Sequence, residues 1–353
     1  MKGSTGLERD LLGWAASILG RSAADLSVTP LAGGGSDRVF YRLTWGEKAE
    51  ARSVILIHYG KERQENAYYA ALGSYLRECG APVPAFYGHD PQRGGMVMED
   101  LGDTDLWSLR TAPVKERLRL YEKTLDAVAL LHRLPLEGFP WDRVPLMAGF
   151  DAALYRWERD YFRENLMERA CGLHLDPGED RLLEASLHDL AVRLEAVPQT
   201  LVHRDFQSRN ILVRNGEPYL IDFQGMRQGN PFYDLASLLC DPYVDWTDKD
   251  RNYLLDYAAQ QLTLASGGDF FRRCFWEAAT QRLLQALGAY GYLGLIKGRT
   301  GFLEHIPAGL ARLVEAAERV EGLTVLENLA RRCLRAVEDA GARFPLTPAP
   351  SGR

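Results

Sequence analysis

The chain has 353 residues, of which 46% are hydrophobic and 25% are charged, values that are ordinary for a soluble globular protein. Its formal net charge of −6 at pH 7 argues against a general nucleic-acid-binding surface, which would need an excess of basic residues. The length suits two lobes or domains better than one small core.

The cysteines and the first residues indicate the compartment. Five cysteines are scattered without any C-x-x-C spacing, which predicts free, mostly buried thiols in a reducing environment. Glu8, Arg9 and Asp10 stand where a signal peptide needs an apolar run, and no stretch has the length of apolar residues that a membrane span requires. We expect a cytoplasmic monomer that binds small molecules, with no nucleic-acid or membrane partner.

The first hundred residues are predicted to form a small domain rich in β-structure. A helix is expected over 7–19, strands over 27–31, 38–45 and 53–57, a helix over 62–79 that ends at Gly80, and strands over 85–88 and 95–98. This order, β-β-β-α-β-β, is typical of a kinase small lobe. We therefore assign residues 1–100 to an N-terminal lobe with an antiparallel sheet.

Residues 101–353 are predicted to be mostly helical. After a connector at 98–103, helical spacing of apolar residues begins at Val114 and returns over 152–166, 178–196 and 248–340, with a loose tail at 345–353. The predicted fold class is α+β, a bilobal protein-kinase-like fold.

A short segment between two apolar runs has the pattern of a catalytic loop. His203, Asp205 and Asn210 follow the H-x-D-x-x-x-x-N spacing of kinases, and Asp222 comes directly after the apolar run 218–221. In such a loop the Asp accepts the proton of the attacking hydroxyl, and the Asn and the second Asp hold Mg²⁺. The set predicts the catalytic and metal-binding core of a phosphotransferase.

A simpler interpretation has to be compared with this one. His203 could be a core histidine and Asp222 a turn carboxylate, because the spacing alone can arise by chance. The apolar runs 201–202 and 211–213 beside the loop, the position of Asp222 and the helix start at Asp234 favour catalysis.

The nucleotide is expected to contact the N-terminal lobe. Backbone N–H groups of Gly33, Gly34 and Gly35 and the Ser36 hydroxyl could approach ATP phosphates, although three glycines could also form only a flexible hairpin turn. The further nucleotide-binding candidates, in the connector, are Met98, Glu99 and Leu101.

The third strand lacks the lysine that kinases use to hold the α- and β-phosphates. Glu65 on the following helix therefore has no lysine partner in register. Lys61, Arg38, Arg42 and His58 are alternative cations, and the sequence does not choose among them.

Together these residues resemble the aminoglycoside phosphotransferase superfamily, whose members are small-molecule kinases with a protein-kinase-like fold. The resemblance covers nearly the whole chain and rests on 203–210, on Ile221-Asp222-Phe223-Gln224 and on the run that begins Tyr233-Asp234. Within the superfamily the chain is most similar to the kinases that phosphorylate the anomeric hydroxyl of N-acetylmuramate and N-acetylglucosamine, a subgroup that also lacks the strand-three lysine.

The resemblance implies a role for each matching residue. Asp205 would be the catalytic base, Asn210 and Asp222 the Mg²⁺ ligands, His203 an ordering residue of the loop, and Asp234 a brace that accepts hydrogen bonds from the loop backbone. Arg204, a catalytic-loop candidate, and Arg209 would stabilise phosphate charge or form structural salt bridges. Candidates for the sugar pocket are Arg156, Glu158, Asp160, Gln281, Arg282 and Gln224, although charged residues on helices are commonly only exposed surface.

The function expected from this set is an ATP- and Mg²⁺-dependent kinase of an N-acetylated amino sugar, active in cell-wall sugar recycling. An aminoglycoside kinase is an alternative and would need an acidic pocket for a polycation. A choline-like kinase would need an aromatic box, for which Trp157, Tyr161, Trp246 and Trp276 are available. A non-catalytic nucleotide-binding module is a third alternative.

Overall fold

The computed structural model describes residues 9–31, 37–47, 51–262 and 268–341. They group into two compact units. The first unit contains the described residues up to Asp105 together with Glu137–Met147 and Asn210–Met226. The second contains Leu106–Leu136, Ala148–Arg209 and the described residues from Arg227 onward.

The first unit is built on an antiparallel sheet of five strands in the order β1-β2-β3-β5-β4. Its elements are α1 (Arg9–Ile18), β1 (Ser27–Leu31), β2 (Val39–Trp45), β3 (Arg52–His58), α2 (Tyr69–Glu78), β4 (Phe86–Asp90) and β5 (Gly95–Glu99). The predicted strand and helix order of this region, and the α+β fold class, are confirmed.

The centre of the sheet is apolar on both faces. Four consecutive residues of β3, from Val54 to Ile57, are buried, because β3 lies between β2 and β5. On one face Leu56 and Val97 pack with Leu11 and Ala15 of α1 in a common core. Burial of these side chains fixes the register of the strands, since a slip of one residue would turn the apolar set to the other face.

The helix that follows β3 begins later than predicted. Residues Gln64–Tyr68 form a 3-10 helix, and α2 starts only at Tyr69. It ends as expected before Gly80, whose φ of +84° lies in the left-handed region that favours glycine.

The second unit is mainly helical. Its helices are α3 (Val114–His132), α4 (Ala152–Phe162), α5 (Pro177–Glu195), α6 (Phe232–Leu239), α7 (Asp248–Gln261), α8 (Gly268–Gly291), α9 (Ile306–Glu318) and α10 (Thr324–Ala340). Helix α8 is buried along most of its length and packs against α4, α6 and α9. At Gly288 a Cβ atom would lie 2.8 Å from the backbone nitrogen of Phe162, so glycine permits the close approach to the end of α4.

Two short strand pairs frame the predicted catalytic segment. The apolar run before it forms β6 (Thr200–Val202), which pairs with β9 (Arg227–Gly229) in the second unit. The run after it forms β7 (Ile211–Arg214), which pairs with β8 (Glu217–Leu220) in the first unit. Strand β9 has no counterpart in the sequence predictions. Among the described residues, no helix is both long enough and apolar enough to cross a membrane.

Candidate active site

The loop after β6 is held by one buried carboxylate of α6. The backbone N–H groups of His203 and Arg204 donate to Oδ2 and Oδ1 of Asp234 at 2.7 and 2.8 Å. Asp234 is fully buried in the first turn of α6, where the helix dipole favours a negative charge, and its Oδ2 also lies 3.0 Å from Nε2 of His132. The hydrogen bonds expected of Asp234 are therefore present, and His203 is buried against Phe206.

Each of the two predicted catalytic segments contains a residue with left-handed backbone. Arg204 has a φ of 76° and Asp222 a φ of 67°, and the third such non-glycine residue in the described ranges is Asn215 in a turn. Left-handed backbone costs non-glycine residues free energy and persists where surrounding contacts impose it, often at functional positions. Two of these three residues lie in the segments that the sequence predicts to be catalytic.

Asp205 has positively charged neighbours. Its side chain is partly exposed, Oδ2 lies 3.3 Å from Nη1 of Arg204, and Oδ1 lies 3.9 Å from Nη2 of Arg282 on α8. Arg282 is itself held, because its Nε donates to Oγ of Ser237 at 2.7 Å. The two guanidinium groups therefore place positive charge beside both oxygens of the carboxylate.

A second carboxylate in the same unit is completely buried. Glu158 on α4 accepts hydrogen bonds from the Tyr233 hydroxyl at 2.9 Å and from Nε2 of Gln281 at 3.0 Å. Burial raises the pKa of Glu158, although Arg204 and the two hydrogen bonds partly oppose the shift. Burial also raises the pKa of Tyr233 well above its ordinary value.

The candidate sugar-pocket residues of this unit thus divide into two groups. Glu158, Gln281 and Arg282 are buried. Gln281 and Tyr233 are hydrogen-bonded to Glu158, and Arg282 lies near Asp205. Arg156 and Asp160 lie on the exposed face of α4 and form an i,i+4 pair at 3.9 Å. The structure brings the first group together and leaves the second at the surface.

In the first unit, Asp222 lies two residues after the end of β8 and is paired with the buried Arg38. Nη1 of Arg38 also donates to Oε1 of Gln224 at 3.1 Å, and Nε2 of Gln224 donates to Oδ1 of Asp222 at 3.2 Å. The backbone N–H of Asp222 donates to the Tyr69 hydroxyl at 3.0 Å, a contact that the sequence did not indicate. Gln224 therefore orients the Asp222 carboxylate.

Asn210 is close to the same strand end. Its backbone carbonyl accepts a hydrogen bond from the N–H of Ile221 at 3.0 Å, and the residue is buried. A carboxamide and a carboxylate are oxygen donors of the kind that Mg²⁺ prefers, and Mg²⁺ commonly takes its remaining ligands from phosphates and water. Among the described residues there is no group of three or more His, Cys, Asp or Glu side chains that would hold a metal alone. The donor set fits a magnesium ion shared with a nucleotide.

The structure also distinguishes among the candidate cations of the first unit. Arg38 contacts Asp222, whereas Arg42 is paired with Asp100 and Asp103, which raise its pKa through side-chain hydrogen bonds. Arg38 is thus the guanidinium next to the proposed metal ligand.

The predicted nucleotide-binding residues are only partly described. Gly33, Gly34, Gly35 and Ser36 lie outside the described residues. Met98 and Leu101 are buried, and the Glu99 carboxylate accepts hydrogen bonds from Arg214 at 2.7 Å and from the backbone of Ala85 at 3.1 Å. The Glu99 side chain therefore ties β5 to neighbouring segments of its own unit.

Comparison with known proteins identifies the family. The model of the phosphotransferase enzyme family APH matches residues 27–276, which is more than half of the chain. Two curated relatives are named N-acetylmuramate/N-acetylglucosamine kinase. The one from Pseudomonas putida is 27% identical over 75% of this chain and 78% of its own length, and the one from Neisseria meningitidis is 26% identical over 86% of this chain and 90% of its own.

A solved structure is similar in fold. The ADP-bound aminoglycoside phosphotransferase APH(2'')-Ib superposes with a TM-score of 0.60 at 14% identity, over 88% of this chain and 99% of that one. At this identity the likeness concerns the fold alone, and it confirms a protein-kinase-like architecture. The resemblance read from the sequence is thus confirmed, and the chain is a phosphotransferase that belongs to the APH family.

Proposed function

We propose that this protein is an ATP-dependent kinase that phosphorylates the anomeric hydroxyl of an N-acetylated amino sugar, N-acetylmuramate or N-acetylglucosamine. The observation that carries the proposal is Asp205, a partly exposed carboxylate in a loop fixed by Asp234 and flanked by Arg204 and Arg282. The names of the curated relatives supply the acceptor class. Both sugars occur in bacterial cell walls, so a role in the recycling of cell-wall sugars belongs to the proposal.

Asp205 acts on the acceptor in this mechanism. Its carboxylate accepts a hydrogen bond from the attacking hydroxyl, aligns the oxygen and takes the proton late in the transfer. An anomeric hydroxyl is more acidic than an ordinary alcohol, so a weakly basic carboxylate is sufficient. Arg204 and Arg282 hold the carboxylate in place and add positive charge where negative charge develops.

Asn210 and Asp222 act on the donor. They would hold Mg²⁺, which neutralises charge on the β- and γ-phosphates when it is bound. Arg38 and Gln224 keep the Asp222 carboxylate oriented, so that no reorganisation is needed as the nucleotide binds. In this assignment Arg38 takes part of the electrostatic role that a strand-three lysine has in other kinases.

The alternative acceptors receive less support. A polycationic aminoglycoside would meet the guanidinium groups of Arg204 and Arg282 beside Asp205. For a choline-like substrate, Trp246 and Trp276 are already covered by arginines of the chain, with Arg117 lying 4.1 Å from the first ring centre and Arg319 lying 4.6 Å from the second. Those rings do not offer an open aromatic box.

The test is a transfer assay. The protein is incubated with Mg-ATP and, separately, with N-acetylglucosamine, N-acetylmuramate, glucose, kanamycin and choline, and products are identified by ³¹P NMR. The proposal expects a sugar 1-phosphate from the N-acetylated sugars. Transfer only to kanamycin or choline would assign another acceptor class, and absence of all transfer would favour a non-catalytic module.

A further inference from the structure

Arg209 is an exposed cation that lies between aromatic rings. Its guanidinium carbon is 3.9 Å from the ring centre of Trp107 and 4.9 Å from that of Tyr243. Among the described residues no carboxylate is paired with it. Contacts of this kind hold the plane of a guanidinium while its N–H donors stay available in that plane.

A buried carboxylate, that of Asp241, fixes the residues on either side of this guanidinium. Asp241 accepts hydrogen bonds on Oδ2 from the backbone N–H and the hydroxyl of Ser208, at 2.8 and 2.6 Å, and on Oδ1 from the backbone N–H of Tyr243 at 3.0 Å. One side chain therefore ties the residue before Arg209 to the residue whose ring covers it. The Tyr243 ring also packs edge-on against His305, with centres 4.3 Å apart.

Arg209 differs from Arg204 and Arg282 in what its guanidinium contacts. Arg204 is paired with Asp205, and Arg282 is bonded to Ser237 and lies near Asp205. Their charge is directed at the catalytic carboxylate, whereas Arg209 offers its charge and its planar donors to solvent. A planar fork of donors matches a carboxylate, which it can bind through two parallel hydrogen bonds.

We propose that Arg209, held by Trp107 and Tyr243, binds a carboxylate of the acceptor and so favours N-acetylmuramate over N-acetylglucosamine. The inference rests on the proposed function. Asp205 and Arg209 belong to one loop of the same unit, so both can face one acceptor molecule. N-acetylmuramate carries a lactyl carboxylate on its C3 oxygen, and N-acetylglucosamine has a neutral hydroxyl there. The same residue would therefore affect one sugar and leave the other unchanged.

The experiment compares the two sugars in Arg209→Gln. With saturating Mg-ATP we expect kcat/KM for N-acetylmuramate to fall about 10- to 100-fold, the usual effect of losing a charge-assisted pair, through a higher KM. For N-acetylglucosamine it should stay within about threefold of the wild type. Arg209→Lys keeps the charge and loses the planar fork, so its kcat/KM for N-acetylmuramate should lie between those of the wild type and Arg209→Gln.

Arg110→Gln is a matched control. Arg110 is another exposed arginine that lies over the Trp107 ring, at 4.0 Å, and its Nη1 donates to the Trp107 carbonyl. Its replacement removes the same charge from the same surface and should change neither sugar. The wild type should also use the carboxamide derivative of N-acetylmuramate with the raised KM that Arg209→Gln shows for the acid.

Each other outcome overturns the inference. An equal loss for both sugars would give Arg209 a structural or catalytic role, and a higher KM for ATP with both sugars would assign the anion to the nucleotide phosphates. If Arg110→Gln lowered kcat/KM for N-acetylmuramate as much as Arg209→Gln does, the effect would come from the positive charge of this surface as a whole and not from a contact with Arg209. These results leave the proposed function standing, whereas a wild type that phosphorylates neither sugar removes both.

Discussion

The guanidinium of Arg38 is paired with the carboxylate of Asp222, two residues after the end of β8. The Arg38 side chain is only 4% exposed, and Gln224 contacts both partners. Because the backbone of Asp222 is left-handed, with a φ of 67°, the pair also stabilises a conformation that is costly on its own. The pair therefore fixes both the side chain and the backbone of a proposed metal ligand.

Replacement of Arg38 by Gln should slow the reaction and weaken the fold. We expect kcat to fall about 100-fold or more, because the charge near the donor phosphates and the orientation of Asp222 are lost together. The free energy of unfolding should fall by about 1 to 3 kcal/mol, less than for a fully buried pair because Asp222 is partly exposed. Steady-state kinetics and urea unfolding measure the two effects. Arg93→Gln, which removes an exposed pairing with Asp10 and Asp90, is the control and should leave kcat unchanged.

Asp234→Asn should disturb the loop without touching any substrate. In the wild type, the two oxygens of the Asp234 carboxylate accept hydrogen bonds from the backbone N–H groups of His203 and Arg204, and one of them also contacts His132. The asparagine amide has only one acceptor oxygen. A buried donor is left unsatisfied, so the free energy of unfolding should fall by about 2 to 4 kcal/mol. We expect kcat to fall about 100-fold at a temperature where the variant is folded. An unchanged kcat in a destabilised variant would show that Asp234 stabilises the fold without contributing to catalysis.

Asp205→Asn should remove turnover and spare nucleotide binding. Loss of a general base typically lowers the rate by about 10²- to 10⁴-fold, and the amide cannot accept the proton of the hydroxyl. The affinity for Mg-ATP, measured by calorimetry, should stay within about threefold, because Asp205 is assigned to the acceptor. Asp189→Asn, an exposed aspartate of α5, should leave both quantities unchanged. Retained turnover in Asp205→Asn would remove this residue from its role.

Local patterns in the sequence predicted much of this arrangement. The order of strands in the first unit follows from apolar runs and glycine signals that each span a few residues, and the loop spacing around Asp205 is equally local. Strand β9 escaped prediction because it has three residues and is defined by its pairing with β6. Strands this short have no periodicity of their own.

Contacts between distant residues could not be predicted in the same way. Arg38 and Asp222 are 184 positions apart, and the sequence offered Arg38 only as one of several cations. Gln281 meets Glu158 across 123 positions, whereas Arg156 and Asp160, equally plausible by composition, lie on the exposed face of the same helix. The direction of a helix face is decided by its packing partner, and that partner is set by the whole fold.

Glu158→Gln should change how stability depends on pH. Burial raises the pKa of Glu158 above its ordinary value of 4.5, so the folded chain binds this proton more tightly than the unfolded chain. The free energy of unfolding should therefore fall as the pH rises above that ordinary value, and the variant should lack this contribution. Urea unfolding measured from about pH 5 to about pH 8 should show a smaller decline in the free energy of unfolding for the variant than for the wild type.

The neighbourhood of Glu158 can accept the amide. Oε1 of Gln281 is buried and has no hydrogen-bond partner, so a rotation of the Gln281 amide would let it accept from the introduced group while the Tyr233 hydroxyl keeps its acceptor. Glu184→Gln, at a half-buried position on α5, serves as the control and should leave the decline unchanged. Parallel curves for Glu158→Gln and the wild type would show that Glu158 has the same proton affinity in the folded and the unfolded chain.

Thiol labelling tests the packing of the second unit. All five cysteines are free, as the sequence predicted. Four of them, Cys171, Cys240, Cys274 and Cys333, are buried. Burial raises the pKa of Cys240 to about 12 and that of Cys274 to about 11, and only the thiolate reacts with an alkylating reagent.

Native protein near pH 8 should therefore react quickly at Cys79 alone, and all five cysteines should react in urea. Cys79→Ser should abolish the fast reaction, and a second fast thiol in the native protein would mean that one of the buried helices opens under native conditions.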